Sequence, residues 1–455
     1  THGPFREPPF HPCHTSPIGI VDKPDGSHRL ILDLSNRRAG SVNAGIDIED
    51  FPVSYCSFDD AVSLLLDAGP LPFMAKVDIR HAFRLCPVRP AEWPLLCFRW
   101  EGLYYFDSRL PFGLRSSPFI FNSFADALLW TLSHHLRLRA VIHYLDDFFL
   151  CHSSFRACQT AMDGLLALFT RLGVPLASEK ICGPATRLTF LGIEIDTAAR
   201  TVRLPPDKFA ALLQLLTTWR DKTRCDKRAL LSLVGRLSFA AKVVKPGRLF
   251  LRRLIDLSTT VSRLHHRIHL SLEAKEDILW WLTFLPSWNG VAYIQDRPVS
   301  SADLHLFTDA SALGIGGVFG DSWFSTPLEA FRTAPWFPPP EEPFDINFWE
   351  LLALVTAFFT WAPHFRDLQV VIHTDNMPLV HVWSRGSRNV RLMRLIRPLF
   401  LRSAQSNTNL LLLHIPGHSN VLADLLSRLQ VRRFHEAHPT ASPSPSPPPP
   451  DLWQL

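Results

Sequence analysis

The chain has 455 residues, of which 47% are hydrophobic, and its formal net charge is +5. This length and composition predict two to four domains with large cores, and they exclude a fibrous or wholly disordered protein. The modest positive charge suits a partner rich in phosphates, although ordinary solvated surface charge is an equally good interpretation.

The eight cysteines are scattered, and no two of them form a C-x-x-C pair. This pattern favours reduced thiols in an intracellular protein of the cytoplasm or nucleus over a disulfide framework or a zinc site. We find no apolar run of the roughly 20 residues that a membrane span needs, so no membrane partner is expected. The chain opens with Thr1, which indicates a piece of a polyprotein whose other segments are expected partners.

Residues 1–205 mix short strand-like runs with helical patterns. The segment "FMAKVDIRHAF" places Asp78 at the end of a strand. In "AVIHYLDDFFL", two β-prone apolar runs flank Asp146 and Asp147, which predicts a hairpin with both carboxylates at its turn. Because neighbouring residues of a strand point to opposite faces, two adjacent carboxylates can approach one site only from a turn.

The segment Ala140–His152 contains no Lys or Arg to pair with its two carboxylates. Burying an ionised carboxylate without a partner is costly, so we expect a bound cation to offset the cost. Three carboxylates with open positions favour Mg²⁺, with Mn²⁺ as the alternative ion. Two such ions about 4 Å apart can activate an attacking hydroxyl and stabilise a leaving pyrophosphate. For Asp78 taken alone, a helix cap or turn residue is the simpler interpretation.

The Y-x-D-D of residues 144–147, preceded by the D-x-x-x-x-F of residues 78–83, resembles a reverse transcriptase. "SPIGIVDKPDGSHRLILDLS" resembles its fingers hairpin, "LPFGLRSSPFIFNSF" the segment that supports template and nucleotide, and "LTFLGIEID" the primer-gripping hairpin. The resemblance implies a right-hand polymerase of fingers, palm and thumb that copies an RNA template from a DNA primer with dNTPs. Fingers and palm would occupy residues 1–205.

The resemblance also assigns roles to individual residues of this sequence. Catalysis and metal binding would fall to three carboxylates, Asp78, Asp146 and Asp147. The nucleotide would be bound by four other residues, Lys23, Arg29, Phe83 and Phe112. The two cations would hold the triphosphate, Phe83 would exclude a ribose 2′-OH, and Phe112 would lie against the nucleotide, where some members carry Gln. Solvent-facing cations and a core phenylalanine are the alternatives.

Residues 206–299 are predicted to be a helical thumb or connection. "DKFAALLQLLTTWRDK" and "DKRALLSLVGRLSFAAKVV" have apolar residues at three-and-four spacing, with Asp207 and Asp226 as predicted N-caps. The zone is rich in arginine, so we expect it to contact a nucleic-acid duplex through its phosphates.

Between residues 300 and 430 the alternation of strands and helices returns. Asp309 and Asp375 end predicted strands, whereas Glu350 and Asp424 lie on predicted helices. Singly, such residues could be turn formers or favourable charges near a helix N-terminus. Together they can converge at one edge of a sheet.

The order D…E…D…D over residues 300–430 resembles ribonuclease H. The resemblance implies an RNase H-like α/β domain in which these four carboxylates bind two metal ions and cut the RNA strand of RNA–DNA hybrids. His418 matches the histidine thought to assist product release or proton transfer there, with a plain surface histidine as the alternative. The fold class expected for the whole chain is α+β, a right-hand polymerase followed by an RNase H-like domain.

The last segment, residues 431–455, is rich in Pro and Ser and is predicted to be disordered. "RLILDLS", "SVN" and "LPFGLRSSP" resemble retroelements of the DIRS type. A non-catalytic nucleic-acid scaffold, similar to the spliceosome's large core protein, is an alternative, but the complete set of seven carboxylates favours an enzyme. A genomic relic that folds poorly stays open.

Overall fold

The computed structural model describes residues 1–22, 26, 28–36, 40–288, 291–294, 305–339, 341, 343–385 and 389–454. The chain divides into two compact units. Unit 1 comprises Thr1–Leu191 with Ile195–Ala199, and unit 2 comprises Gly192–Glu194 with Arg200–Leu455. The division falls near residue 200 rather than 205. Residues 206–299 do not form a unit of their own, because they pack with the RNase H-like segment.

Unit 1 contains Asp78, Asp146 and Asp147, the first acidic group, and the strands that carry them. Its strands are β1 (His2–Phe5), β2 (Ile18–Asp22), β3 (His28–Leu32), β4 (Phe73–Asp78), β5 (Cys97–Trp100), β6 (Leu103–Phe106), β7 (Val141–Tyr144), β8 (Asp147–His152), β9 (Cys182–Ala185) and β10 (Arg187–Phe190). Its helices are α1 (Phe58–Ala68), α2 (Ser117–His135) and α3 (Phe155–Arg171). The central sheet has the order β7-β8-β4-β9, β1-β6-β5 form a second sheet, and β2 pairs with β3.

The core of unit 1 lies where α2 and α3 pack on the central sheet. α3 begins at Ser154, whose hydroxyl accepts a hydrogen bond from the Ala157 amide, and it buries Cys158, Leu165 and Phe169 at helical spacing. These side chains join Phe148 of β8 and residues of α2 in one apolar cluster. The sheet edge that carries the carboxylates is therefore fixed from behind by a packed core.

Unit 2 begins with a mainly helical part. Its elements are β11 (Ile193–Asp196), which crosses the division, β12 (Thr201–Arg203), α4 (Pro206–Arg220), β13 (Arg224–Asp226), α5 (Lys227–Ala240), α6 (Arg252–Thr259), β14 (Arg267–His269), α7 (Leu272–Ser287) and β15 (Val291–Tyr293). The short pairs β12–β15 and β13–β14 depart from the purely helical prediction. Asp226 caps α5 as predicted. Asp207 lies inside the first turn of α4, because Pro205 takes the N-cap position.

The second part of unit 2 is a five-stranded sheet with helices. Its elements are β16 (His305–Ala310), β17 (Gly314–Phe319), β18 (Ser322–Pro327), α8 (Ile346–Trp361), β19 (Gln369–Thr374), α9 (Met377–Arg385), α10 (Val390–Gln405), β20 (Asn409–His414), α11 (Val421–Ser427) and α12 (Val431–Ala437). The strand order is β18-β17-β16-β19-β20. β16, β19 and β20 are parallel, and β17 is antiparallel to both of its neighbours.

Helix α8 is the central helix of this part and is buried around most of its circumference. Contrary to the expectation from sequence, Ile346–His364 is long and apolar enough to cross a membrane by length and composition, but 78% of the window lies buried inside the fold. A helix that is hydrophobic on every side fits a core position between a sheet and other helices.

The prediction that residues 431–455 are disordered is wrong. α12 packs Phe434 into an apolar cluster with Trp323, and Leu452 is fully buried. The indole N–H of Trp323 donates to the Ser442 carbonyl at 2.7 Å, and that of Trp336 donates to the Leu452 carbonyl at 2.7 Å. A segment rich in Pro and Ser buries little surface of its own, so it is ordered by its contacts with Trp323 and Trp336.

Candidate active sites

The hairpin predicted around Asp146 and Asp147 is confirmed. Strands β7 and β8 pair antiparallel with Tyr144 opposite Asp147, so Leu145 and Asp146 form a two-residue turn. Leu145 has a φ of +52°, in the left-handed region that such turns require. Asp146 therefore projects from the turn, while Asp147 opens strand β8.

Asp78 lies at the end of β4, directly opposite Asp147 in the ladder between β4 and β8. Residues that oppose each other on antiparallel strands carry their side chains on the same face of the sheet. The backbone of the Asp146 turn is held to the same strand end, because the Ile79 amide donates to the Asp146 carbonyl at 3.0 Å. The three predicted carboxylates thus share one edge of the central sheet.

The first acidic group is electrostatically strained. Burial raises the pKa of Asp146, and the charge of Asp78 raises it further. Burial also raises the pKa of Asp147 to about 6, against the opposing effect of Lys76 and with further elevation by the other two carboxylates. One buried oxygen of Asp147, Oδ1, has no hydrogen-bond partner. A cation between these carboxylates would reduce their mutual repulsion, and it would give Asp147 Oδ1 a partner.

Sequence reasoning missed a lysine at this site. The Lys180 ammonium lies 3.1 Å from each carboxylate oxygen of Asp78. Desolvation opposes its charged form, but the hydrogen bonds to Asp78 prevail and raise the pKa of Lys180. Lys180 follows Asp78 by about a hundred residues and belongs to no acidic motif, so only the packing of residues 178–180 beside β4 reveals it.

The residues predicted to contact the nucleotide form a stack next to this edge. The Arg29 guanidinium lies 4.4 Å from the centroid of the Phe112 ring, and Phe112 contacts Phe83 with ring centroids 5.0 Å apart. Arg29 also lies near enough to Asp146 to lower the pKa of that carboxyl. Lys23 lies outside the described residues. The structure therefore brings Arg29, Phe112 and Phe83 together.

Asn43 is a second residue that sequence reasoning did not single out. Its side chain is 4% exposed and donates to the Gly113 carbonyl at 2.8 Å, while its oxygen accepts from the Arg115 amide at 2.9 Å. Gly113 has a φ of +109°, and a Cβ there would lie 1.9 Å from the Leu32 carbonyl oxygen. Only glycine permits this close approach, which fixes the backbone beside Phe112.

The second acidic group lies at the sheet of unit 2. Asp309 is on β16, Glu350 is on the first turns of α8, and Asp375 follows β19. Among the described residues, these three form the one set whose ligand atoms all lie within 4.8 Å of one another. The first acidic group does not meet that limit. The predicted convergence of Asp309, Glu350 and Asp375 is therefore seen directly.

Burial and mutual repulsion perturb this group as well. Burial, together with the charges of Asp309 and Asp375, raises the pKa of Glu350 to about 9. Burial raises the pKa of Asp309 to about 6, although a hydrogen bond from the Ser427 hydroxyl opposes the change. Oε2 of Glu350 is buried without a hydrogen-bond partner. Three oxygen donors with an unmet oxygen fit a divalent cation.

Asp424 and His418 lie at the margin of this group. Asp424, on α11, raises the pKa of Asp309 by its charge, but its own carboxylate accepts a hydrogen bond from Arg428 Nε at 2.7 Å. His418 is exposed in a single helical turn, Gly417–Ser419. A Cβ on Gly417 would lie 3.0 Å from Asp375 Oδ2, so this turn passes directly beside the acidic group.

The two acidic groups lie in segments that match two different protein families. Residues 21–195 match the family described as reverse transcriptase (RNA-dependent DNA polymerase). Residues 299–400 match the RNase H-like domain found in reverse transcriptase. The second match ends before β20 and α11, which in the structure complete the sheet and carry Asp424.

Curated relatives are distant and longer than this chain. It is 23% identical over 435 residues to the retrovirus-related Pol polyprotein from transposon opus of Drosophila melanogaster, with 92% of this chain and 40% of that protein covered. It is 24% identical over 278 residues to Protein P of heron hepatitis B virus, with 58% of this chain and 32% of that protein covered. The chain therefore spans less than half the length of these relatives.

A solved structure shares the fold. The foamy viral protease-reverse transcriptase dRH in complex with double-stranded DNA matches 88% of this chain and 65% of its own, with 16% identity and a TM-score of 0.50. Families of both kinds generally use divalent metal ions, in keeping with the acidic triad Asp309, Glu350 and Asp375. The two family matches and the similarity to a transposon Pol polyprotein support a retroelement reverse transcriptase, with a polymerase domain followed by an RNase H-like domain.

Proposed function

We propose that the chain is an RNA-directed DNA polymerase that also cleaves the RNA strand of RNA–DNA hybrids. The observation that carries the proposal is that each of the two matched segments contains its own group of buried, mutually repelling carboxylates. A non-catalytic scaffold would gain nothing from either group, because without metal they repel both each other and phosphate. The alternative of a scaffold is therefore disfavoured.

The first group acts on a primer, a template and dNTPs. Asp78, Asp146 and Asp147 would hold Mg²⁺, with Mn²⁺ as the alternative ion, and such ions would supply the Lewis acidity that lowers the pKa of the primer 3′-hydroxyl and offsets the charge of the pyrophosphate. Arg29, and Lys23 by sequence, neutralise triphosphate charge, while Phe112 supports the nucleotide. Phe83 would exclude a ribose 2′-OH.

The second group acts on the hybrid. Asp309, Glu350, Asp375 and Asp424 would hold the ions there, and His418, which follows Gly417 in the turn beside Asp375, would assist proton transfer or product release. Oδ1 of Asp424 also accepts a hydrogen bond from Arg428 Nε, so Arg428 would compete with a cation for this carboxylate. Selection of the RNA strand comes from groove shape and 2′-OH contacts.

The test uses two substrates with one purified protein. We expect extension of a DNA primer on an RNA template with dNTPs, and cleavage of the RNA strand in a preformed RNA–DNA hybrid. Both reactions should stop in EDTA and return with Mg²⁺. Failure of both reactions under Mg²⁺ and Mn²⁺ would contradict the proposed function, whereas loss of one alone would remove the corresponding site.

Two aspects of the wider biology stay proposals. We place the protein inside the cell, where its eight free cysteines would stay reduced, and in a polyprotein with further segments. The DIRS-type subclass stays a prediction. A tyrosine recombinase encoded in the same element as this chain would support it.

A further inference from the structure

A buried histidine links the turn that carries Asp146 to helix α2. His143, on β7, is 7% exposed and stacks on Phe148 with ring centroids 5.2 Å apart. Its Nε2 lies 2.9 Å from Asp126 Oδ1, and its Nδ1 lies 3.2 Å from the Leu145 carbonyl oxygen. The imidazole thus bridges a carboxylate on the helix and the backbone of the turn.

The two partners define what the ring does. A backbone carbonyl oxygen only accepts hydrogen bonds, and so does an ionised carboxylate. Each ring nitrogen of His143 therefore faces a hydrogen-bond acceptor. The Asp126 carboxylate is itself oriented, because the Asn122 amide donates to its second oxygen at 2.9 Å. Asn122, Asp126, His143 and the Leu145 carbonyl form a continuous hydrogen-bonded chain.

The turn at the end of this chain needs such support. Leu145 adopts a left-handed φ of +52°, which costs a non-glycine residue about 1 kcal/mol or more. A strained residue holds its conformation only when its surroundings determine it. On one side the Ile79 amide holds the Asp146 carbonyl, and on the other His143 holds the Leu145 carbonyl.

We propose that His143 is a positioning residue of the polymerase site, which fixes the Leu145–Asp146 turn and so aims the Asp146 carboxylate. This inference rests on the proposed polymerase function. Asp126 serves as the acceptor that orients the imidazole, in the way that outer carboxylates orient metal-bound histidines. His143 acts through the backbone of the turn, by its contact with the Leu145 carbonyl.

The experiment measures steady-state primer extension by the full chain with His143→Phe, His143→Gln and Asp126→Asn. Phenylalanine keeps an aromatic ring beside Phe148 but loses both ring nitrogens, whereas glutamine keeps one group that can donate a hydrogen bond. We expect His143→Phe to lower kcat about 10- to 100-fold with little change in the KM for dNTP, since support of a catalytic group is lost rather than nucleotide binding. His143→Gln should recover part of that loss. Asp126→Asn should lower kcat in the same direction, but less.

The controls separate positioning from simple stability. RNA cleavage in a hybrid, which depends on unit 2, and the thermal unfolding midpoint should stay close to wild type in each variant. His152→Phe, at the exposed far end of β8, makes the same substitution away from the turn and should leave extension unchanged. The side chain of Asp126 is 58% exposed, so Asp126→Asn remains informative if His143→Phe fails to fold.

The double variant His143→Phe with Asp126→Asn gives a second readout. If the two residues act as one chain, its kcat should match that of His143→Phe alone. Wild-type extension with unchanged kcat in His143→Phe, or additive losses in the double variant, would overturn the inference while leaving the polymerase function intact. Absence of extension by the wild type would instead refute the proposed function itself.

Discussion

Asp146 and Asp375 lie in different units, so each can be neutralised without removing a ligand from the other acidic group. Asp146→Asn should abolish Mg²⁺-dependent primer extension and leave RNA cleavage nearly intact, because asparagine supplies no negative charge to a metal ion. Asp375→Asn should do the converse. Paired assays on both substrates check this. Asp163→Asn, an exposed carboxylate change on α3, is the control, and normal extension by Asp146→Asn would refute its assignment.

Phe83 is a partly buried ring between Phe112 and Phe121. Phe83→Ala should admit ribonucleotides, since removing the ring opens the space in which a 2′-OH would lie. The measurement is the ratio of kcat/KM for dNTP and rNTP with the same template. Phe155→Ala, at a 53% exposed phenylalanine on α3, should leave that ratio unchanged. Unaltered sugar discrimination in Phe83→Ala would show that the ring is only part of the core.

Glu350 gives the metal-free protein a pH-dependent stability. Its pKa is raised from 4.5 to about 9, so the folded chain keeps a proton that the unfolded chain releases. Because the folded pKa is the higher one, the stability is fully present below pH 4.5 and is lost as pH rises towards 9. In EDTA, the thermal unfolding midpoint should therefore decrease as pH is raised from about 6 to about 8, and Glu350→Gln should make this decrease smaller.

Mg²⁺ should bind more tightly as pH rises, since it displaces the proton from Glu350. A midpoint in EDTA that rises with pH would contradict this assignment.

At the scale of elements, the C-terminal segment is a working part of the unit 2 fold. Leu452 is fully buried, and three indole N–H groups, from Trp323, Trp336 and Trp361, donate to the segment. It also lies along the edge strand β18, where the Ser446 amide donates to the Trp323 carbonyl. Covering an edge strand protects it from pairing with another chain.

Leu452→Ala should destabilise unit 2 by about 2–4 kcal/mol, because it removes a buried side chain and leaves a cavity. Denaturant unfolding monitored by tryptophan fluorescence checks this. Pro445→Ala, at an exposed position of the same segment, should change stability by less than about 0.5 kcal/mol. Equal stability of the two variants would mean that the segment is not part of the folded unit.

At the scale of the whole molecule, the helical part and the RNase H-like part are joined by an ion-pair network around the buried Asp277. Arg397 on α10 pairs with Glu276 and Asp277 on α7, and its Nη2 lies 2.5 Å from Asp277 Oδ1. The Asp277 side chain is 1% exposed, and Arg253 approaches it at 3.8 Å. This network links α7 to α10, both of which lie in unit 2.

Arg397→Ala should destabilise unit 2 by about 3 kcal/mol or more, since it leaves a buried carboxylate with only a distant partner. RNA cleavage should be inactivated at a lower temperature than in the wild type. The residues proposed for primer extension lie in unit 1 and are not changed by this substitution. Arg432→Ala, whose side chain is 93% exposed beside Glu436, should be nearly silent. Equal thermal inactivation of the two variants would argue against the network.

The sequence by itself determined the hairpin turn at Asp146 and the strand ends that carry Asp78, Asp309 and Asp375, because strand alternation and turn chemistry act over a few residues. The polymerase part and the RNase H-like part were predicted from the resemblance of their motifs to known families. Only the tertiary structure decided the partners that come from far along the chain, namely Lys180 at Asp78, Asn43 at Gly113 and Asp126 at His143. It also decided that the Pro-rich end is ordered, because its order is supplied by tryptophans more than a hundred residues away. Long-range pairing depends on how elements pack, and no local pattern in one sequence encodes which surfaces will meet.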